Sequence, residues 1–384
     1  MKFELSTYNK IWDSSEGRQI VTTILNDPDM IKANHTFWIE KFRVDPQITP
    51  TNQEGEAIFI SRMRQLESGV LMSLRAPLAD SVPEDKKGIA YYSGAIPEFI
   101  SKGFVEKAPE RFYKQQLFDQ FGDTALVAAY ATDVLQKRID EGNQTLSHMA
   151  AQLLSSAQIV YKQGDGAQGN ILKAEVPASN FLKAGKKVWT DTTARLLDQI
   201  VEMVDSINDT TGLSIQWQLE VPKEMFKNCF LKNEQVIEWV RYMNIINNQP
   251  LPDKMVITKD MAMPALAQFP GLPPVVIVEE KQKDGTNGIV HGWVDNKAVL
   301  RPAGYAGLVR RTTIADTLLF NSQFANSVNS YSFAPAMNGC AVVRNFVVVN
   351  GNFKEWQTDL VMAAVPSLDE FLYHYIIDTQ TANG

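Results

Sequence analysis

Cysteine is almost missing from this chain. Its 384 residues include only Cys229 and Cys340, far apart and without a CxxC pair. That excludes a disulfide framework and a thiolate zinc site, and two buried reduced thiols are the expectation. No run of about 18 consecutive apolar residues occurs, and the start, MKFELSTYNKIWDSSEGRQ, lacks the basic-then-apolar order of a secretory signal. A soluble, intracellular protein with no membrane partner is therefore expected. Positive charge is also short, with 37 Lys and Arg against 44 Asp and Glu for a net charge of -7. This argues against a surface that binds nucleic acid by neutralising phosphates.

Catalytic signatures are lacking as well. The four histidines, His35, His148, His291 and His374, form no HExxH and no i,i+4 pair, so structural histidines are expected. There is no GxxxxGK[ST], no GxGxxG after a strand and no GxSxG. The segment QGDGAQGN has the glycines of a phosphate loop without its Lys-Ser/Thr, and it reads as a turn. Around Asp284, Gly285 and Gly288 the carboxylates are too few for a calcium loop, leaving a hairpin tip. Asp13, Asp27, Asp29, Asp133, Asp140 and Glu141 have no spacing that forces them together, and they read as solvated faces. No catalytic residue, metal ligand or cofactor is expected, and the chain is not read as an enzyme.

What is present is an ordered series of elements, in a chain long enough for two or more packed regions. Residues 1–52 are polar and broken by Pro28, Pro46 and Pro50, with an aromatic cluster at Phe37, Trp38 and Phe42. They read as an arm with a short helix near 16–26, packing either on a neighbouring chain or back on its own. Within 53–110, AIFISRMRQLESGVLMSLRAPLAD and IAYYSGAIPEFISKGFVE flank the tip SVPEDKKG and predict a long hairpin. Arms of a dozen residues would project roughly 40 Å, far for a lone two-stranded ribbon. Such a ribbon needs a neighbour unless it belongs to a compact sheet.

Apolar residues from Leu126 to Val160 recur at spacings of three and four. They predict one helix over 123–161, roughly 55 Å long, or two collinear helices broken at Gly142-Asn143. A second amphipathic helix should open at Thr190 or Asp191 and end at Gly212. Residues 213–315 alternate strands with helical and Pro-rich segments, as an α/β unit with a helix near 232–243. The remainder, 316–384, is mostly strand.

In this order the elements resemble the major capsid proteins of tailed bacteriophages. Three stretches resemble the lambda-type branch in particular. Arg138 to Tyr161 is similar to its spine helix and following turn, Asp295 to Gly307 to an axial-domain strand and Gly-containing turn, and Met362 to Phe371 to the closing peripheral strand. The resemblance implies an α+β, HK-ninety-seven type capsid fold: N-arm (1–52), projecting E-loop hairpin (53–110), long spine helix with peripheral domain (111–212), axial domain (213–315) and peripheral return strands (316–384).

It also implies surfaces in place of an active site. The E-loop tip, Pro83, Glu84, Asp85, Lys86, Lys87 and Gly88, would overlap an adjacent subunit. The axial loops, with Phe269, Pro270 and Gly271 and with Asp284 and Gly285, would gather at the centres of hexamers and pentamers. Lys86 and Lys87 could supply an isopeptide crosslink, but no acidic catalyst or asparagine acceptor can be matched to them. The chain begins without a charged helical extension, so a separate scaffolding protein is expected, with portal and decoration proteins as further partners. A virion shell assembled in the bacterial cytoplasm, enclosing double-stranded DNA without sequence-specific binding, follows from the same resemblance, and an acidic or neutral inner wall suits it. The rival readings are an encapsulin-like compartment, a tail or baseplate component, and a soluble enzyme with dispersed carboxylates such as a glycoside hydrolase.

Overall fold

A computed structural model describes residues 37–52, 56–64, 89–101, 103–105, 113, 116, 120, 134–162, 168–247, 252, 255–283, 288–314, 331–350 and 353–383. The helix expected near 16–26 and the ribbon tip at 81–88 lie outside the described residues.

The described part of the arm folds back on its own chain. Helix α1 (Phe37–Lys41) leads into strand β1 (Phe42–Thr49). Phe37, Trp38 and Phe42 are all buried in a core that α1 shares with the long helix. The strands β2 (Ile58–Arg64) and β3 (Ile89–Ala95) pair antiparallel over seven residues. The expected return arm of this hairpin is shorter than predicted, because Pro97 lacks the N–H needed to continue a ladder. Beyond it, β4 (Phe99–Ile100) and β5 (Phe104–Val105) pair elsewhere.

Helix α2 runs from Gln136 to Ser156 without a break at Gly142-Asn143, about 31 Å at 1.5 Å per residue. Glycine is needed at 142 because a Cβ there would lie 2.6 Å from Met337 Sδ. Residues 123–133 lie outside the description. At the other end the helix stops short of 161: Ala157 turns left-handed (φ 57°) and β6 (Gln158–Lys162) follows, paired with β7 (Gln168–Lys173). Strand β8 (Phe181–Lys183) precedes α3 (Leu196–Thr211), which ends at Gly212 in the left-handed region (φ 66°). Thr190 and Asp191 do not cap it. Asp191 Oδ1 accepts from Thr193 N in the preceding turn, while Leu197 N donates to the Gln235 side chain. Then come β9 (Trp217–Pro222), α4 (Glu234–Ile246, capped by Asn233) and α5 (Lys259–Leu266). The short strands β10 (Val275–Val278), β11 (Gln282–Lys283) and β12 (Ile289–Val290) follow, and after them β13 (Lys297–Pro302) and β14 (Gly307–Thr312). The chain closes with β15 (Tyr331–Ala336), β16 (Ala341–Asn350), β17 (Phe353–Met362), β18 (Ala364–Leu368) and β19 (Tyr375–Asp378).

Three larger sheets result. One has the order β1-β14-β18, the second β10-β9-β13-β19-β8, and the third β15-β16-β17-β4, with β5 also on β17. Two apolar cores form around them. The first wraps α2, burying Leu135, Ile139, Leu146, Met149, Leu153 and Leu154 against β14, β16 and β18. The second packs α3, α4 and α5 on the five-stranded sheet and draws on residues 184–300 and 373–377, on both sides of the 213–315 unit. The side chains of Met63 and Leu372 touch both cores.

Candidate functional site

At the base of the β2–β3 ribbon several large apolar side chains stand in solvent. Alternation sends successive residues to opposite faces. Phe59, Ser61 and Tyr92 point inward and are buried, while Ile58, Ile60, Ile89 and Tyr91 point out and are 49–69% exposed. The register places Ile60 opposite Ser93 and Arg62 opposite Tyr91, so the outer face of the ribbon sets large apolar groups beside Ser and Arg in solvent. A free sheet face of this kind marks a contact surface.

The inner face fixes the ribbon rigidly. The Tyr92 ring meets Phe59 and Phe371 edge-on at 6.1 and 5.1 Å. Its hydroxyl donates to Leu368 O (2.8 Å), which Ser61 Oγ also reaches (3.0 Å). Burial, first, and the neighbouring Asp369 charge push the Tyr92 phenol well above its ordinary value, so it stays a neutral donor. Beneath lies Arg310 of β14, which binds Asp45 of β1 (2.6 Å), Asp369 (3.0 Å) and Ser367 Oγ (3.0 Å), and sits 5.9 Å from the Phe59 ring centre. One guanidinium thus joins the arm strand, the closing strand and the ribbon floor.

A second ionic node joins the arm to the second core. Glu220 of β9 is fully buried, and its Oε1 accepts from Lys41 Nζ (2.7 Å), Arg301 Nη2 (2.8 Å) and Nε (3.2 Å), and Gln218 Nε2 (2.8 Å). Burial opposes its ionisation, yet Arg301 and Lys41 overcome that and hold the carboxyl below the ordinary glutamate range.

The loop 269–274 closes α5. Phe269 is half-buried with its ring 5.0 Å from Trp239, Pro270 and Gly271 are exposed, and Gly271 adopts φ 78°. Asp284 and Gly285, like Pro83 to Gly88, lie outside the described residues. The hairpin expected around Asp284 has its flanks in place, Gln282 pairing with Val290 and Lys283 with Ile289.

The described groups that could carry chemistry are engaged in structure. His374 is buried with Nε2 donating to Leu154 O (2.7 Å), and burial lowers its pKa to about 4. Burial pushes the Cys229 thiol up to about 11 and Cys340 up to about 12. Glu141 is paired with Arg138 at 2.9 Å. Among the described residues no group of three or more His, Cys, Asp or Glu is placed to hold a metal ion, and no described helix is long and apolar enough to cross a membrane. A cleft of about 230 Å³ between α1 and α2 is walled by Trp38, Phe42, Ile139 and Met337, with the Arg43 guanidinium stacked 4.2 Å over Tyr305 at its rim. The arrangement can bind and hold neighbouring polypeptide; it offers no nucleophile–base pair. Sequence reading found the ribbon but missed Arg310 and Glu220, whose partners lie up to 265 and 179 residues away.

No family model matches the chain, and no curated protein matches it. Solved structures do. A protein assigned as the capsid protein of an Escherichia coli CFT073 prophage aligns over 94% of this chain and 98% of its own, with a TM-score of 0.50 at 9% identity. A phage-related protein of Bordetella bronchiseptica RB50 covers 94% and 96% (TM-score 0.45, 14% identity), and the capsid unit of cyanophage A-1(L) covers 91% and 93% (TM-score 0.45, 14% identity). The α+β capsid-type fold expected from the order of elements is thus the fold of this chain.

Proposed function

We propose that the chain is the major capsid protein of a tailed phage, assembling as hexamers and pentamers into the icosahedral shell that encloses double-stranded DNA. The observation that carries this reading is the ribbon: one face locked to the core by Tyr92 and Phe59, the other presenting Ile58, Ile60, Ile89 and Tyr91 to solvent. A shell subunit needs moderate contacts with many neighbours, and arms and ribbons supply that area without enlarging the core. In this reading the tip Pro83 to Gly88 overlaps an adjacent copy, and the loops at 269–274 and 284–288 face the capsomer axes. Scaffolding, portal and decoration proteins are the expected partners, and the mature particle is the site of residence, after assembly in the bacterial cytoplasm. The full capsid-type architecture over nearly the whole chain supports a shell over a tail component.

Deleting Ser81 to Gly88 tests the role of the ribbon. The subunit should keep its far-ultraviolet circular dichroism and lose particle formation on sedimentation; normal particles from the deletion would overturn it. Particles that enclose a protein cargo when produced without phage DNA would count against the phage-shell reading.

A further inference from the structure

Between α2 and the β11–β12 hairpin lies a half-buried polar chain that the shell reading does not use. Gln144, His148 and Gln152 follow at four-residue intervals along one face of α2. The hairpin packs against this face: Lys283 N donates to Gln144 Oε1 (3.2 Å), and Val294 N donates to Ser155 Oγ (2.9 Å). Gly292 passes so close that a Cβ would come within 2.3 Å of His148 O. The contact lies at the first core, which holds Val278 and Trp293, while the adjoining β10 begins in the second at Val275.

The geometry fixes a single proton arrangement. Gln152 Oε1 accepts from Val160 N (3.1 Å), so its amide cannot be turned over, and Gln152 Nε2 must donate to His148 Nε2 (3.2 Å). The imidazole therefore carries its proton on Nδ1, which is buried and faces Gln282. The Gln282 amide lies between His148 and Glu280 and interacts with both, yet closes a well-formed hydrogen bond to neither. Glu280 is buried and accepts from Gly292 N (2.9 Å) and Trp293 N (3.4 Å). His291 Nδ1 donates to Glu280 O (2.6 Å) and stands 4.0 Å from its carboxylate. Among the described residues the exposed Lys281 and Lys283 are the other charged groups of the hairpin.

We propose that His148 is a proton-sensitive latch: the hairpin stays seated on α2 while the imidazole is neutral and loosens when it takes up a second proton. A proton on Nε2 would face the N–H of Gln152, donor against donor, and Gln152 can turn only by surrendering Val160 N. The ring is half-buried with its Nδ1 shielded from water, and among the described residues no carboxylate is bonded to it. An imidazolium there is relieved by opening to water.

Burial lowers the pKa of His148, so the closed contact favours the neutral ring. Its contribution is present above the ordinary histidine value of about 6.5 and is lost as pH falls through it toward the lower folded value. Glu280 has the opposite sign. Burial raises its pKa, so proton uptake there is favoured in the closed form and does not loosen it. The loosening belongs to His148 alone.

The test uses the full unassembled chain, so it succeeds or fails independently of shell formation. Hydrogen exchange over residues 280–294, corrected for the intrinsic pH dependence, should quicken several-fold between pH 7.5 and 5.5, because burial lowers the His148 pKa in the closed form. His148→Gln should abolish that change, and Glu280→Gln and His291→Gln should each keep it. In Gln152→Glu a carboxylate oxygen can accept from the imidazolium, so the donor-against-donor clash is gone and exchange over residues 280–294 should no longer quicken as pH falls. Exchange that is independent of pH in the parent chain, or a quickening that persists in Gln152→Glu, would overturn the proposal. The Gln152→Glu measurement decides if His148→Gln fails to fold.

Discussion

Replacing Glu220 with Gln removes the carboxylate to which two buried cations bond. The side chains of Lys41 and Arg301 are only 8% and 2% exposed, and both bond to the same oxygen of Glu220. The substitution nearly preserves volume, so the loss is electrostatic: the neutral amide leaves an ammonium and a guanidinium in low dielectric. Breaking a buried pair from one side costs about 3–5 kcal/mol. With a urea slope of about 3 kcal/mol/M, the midpoint should fall by roughly 1–2 M. Tryptophan fluorescence of the unassembled chain reports it, because Trp217 shares β9 with Glu220 and is buried. Lys41→Met leaves Glu220 bonded to Arg301 and should cost less. The triple change Lys41→Met, Glu220→Leu and Arg301→Met removes every charge and should lie within about 1 kcal/mol of the parent. The pH dependence has a definite sign. The Glu220 carboxyl is held below its ordinary value, so its stabilisation is present above about pH 4.3 and disappears as pH falls through the folded value. That acid limb should be missing in Glu220→Gln. A midpoint within about 0.3 M of the parent, corresponding to roughly 1 kcal/mol, would refute the reasoning.

Other outcomes follow from the same structure. Ile60→Lys and Tyr91→Lys change exposed positions on the outer ribbon face, so subunit stability should move by no more than about 0.5 kcal/mol. Light scattering during assembly should nevertheless show each blocked, since burying a half-exposed side chain of this size contributes on the order of 1 kcal/mol per contact. Tyr92→Phe removes one donor while Ser61 still serves Leu368 O, and thermal unfolding should register a loss of about 1 kcal/mol. Arg310→Met strips the counter-charge from Asp45 and Asp369 together, and proteolysis should cut the ribbon faster than in the parent chain. The two thiols should resist a disulfide reagent at pH 8 in the folded chain and react on unfolding, because burial keeps both protonated.

What could be read from the sequence was whatever lies within one element. The two strand-like runs around SVPEDKKG give the ribbon, the three-and-four spacing gives α2 and α3, and Gly212 gives the end of α3. What could not be read depends on distant partners. Asp191 has the chemistry of a helix cap, yet α3 starts five residues later because Gln235 of α4 supplies the acceptor for Leu197 N. Gly142 looks like a helix breaker until the tight approach of Met337 shows why no side chain fits. The arm was ambiguous because its aromatics would be buried equally well by a neighbour; the Trp38 indole donating to Asn143 Oδ1 (2.9 Å) and the Lys41–Glu220 pair turn it inward. The ribbon was legible as a hairpin, but not which face is buried, since Ala57 to Ile60 is apolar at every position, nor that Arg310 lies beneath it.

The most direct test of the account is a cryo-electron microscopy reconstruction of particles formed by the full chain produced with its scaffolding protein. It should show closed shells of pentamers and hexamers in which Ile58, Ile60, Ile89 and Tyr91 of each ribbon are covered by an adjacent copy. A chain that remains a monomer under those conditions, or shells in which that face stays open to solvent, would contradict it.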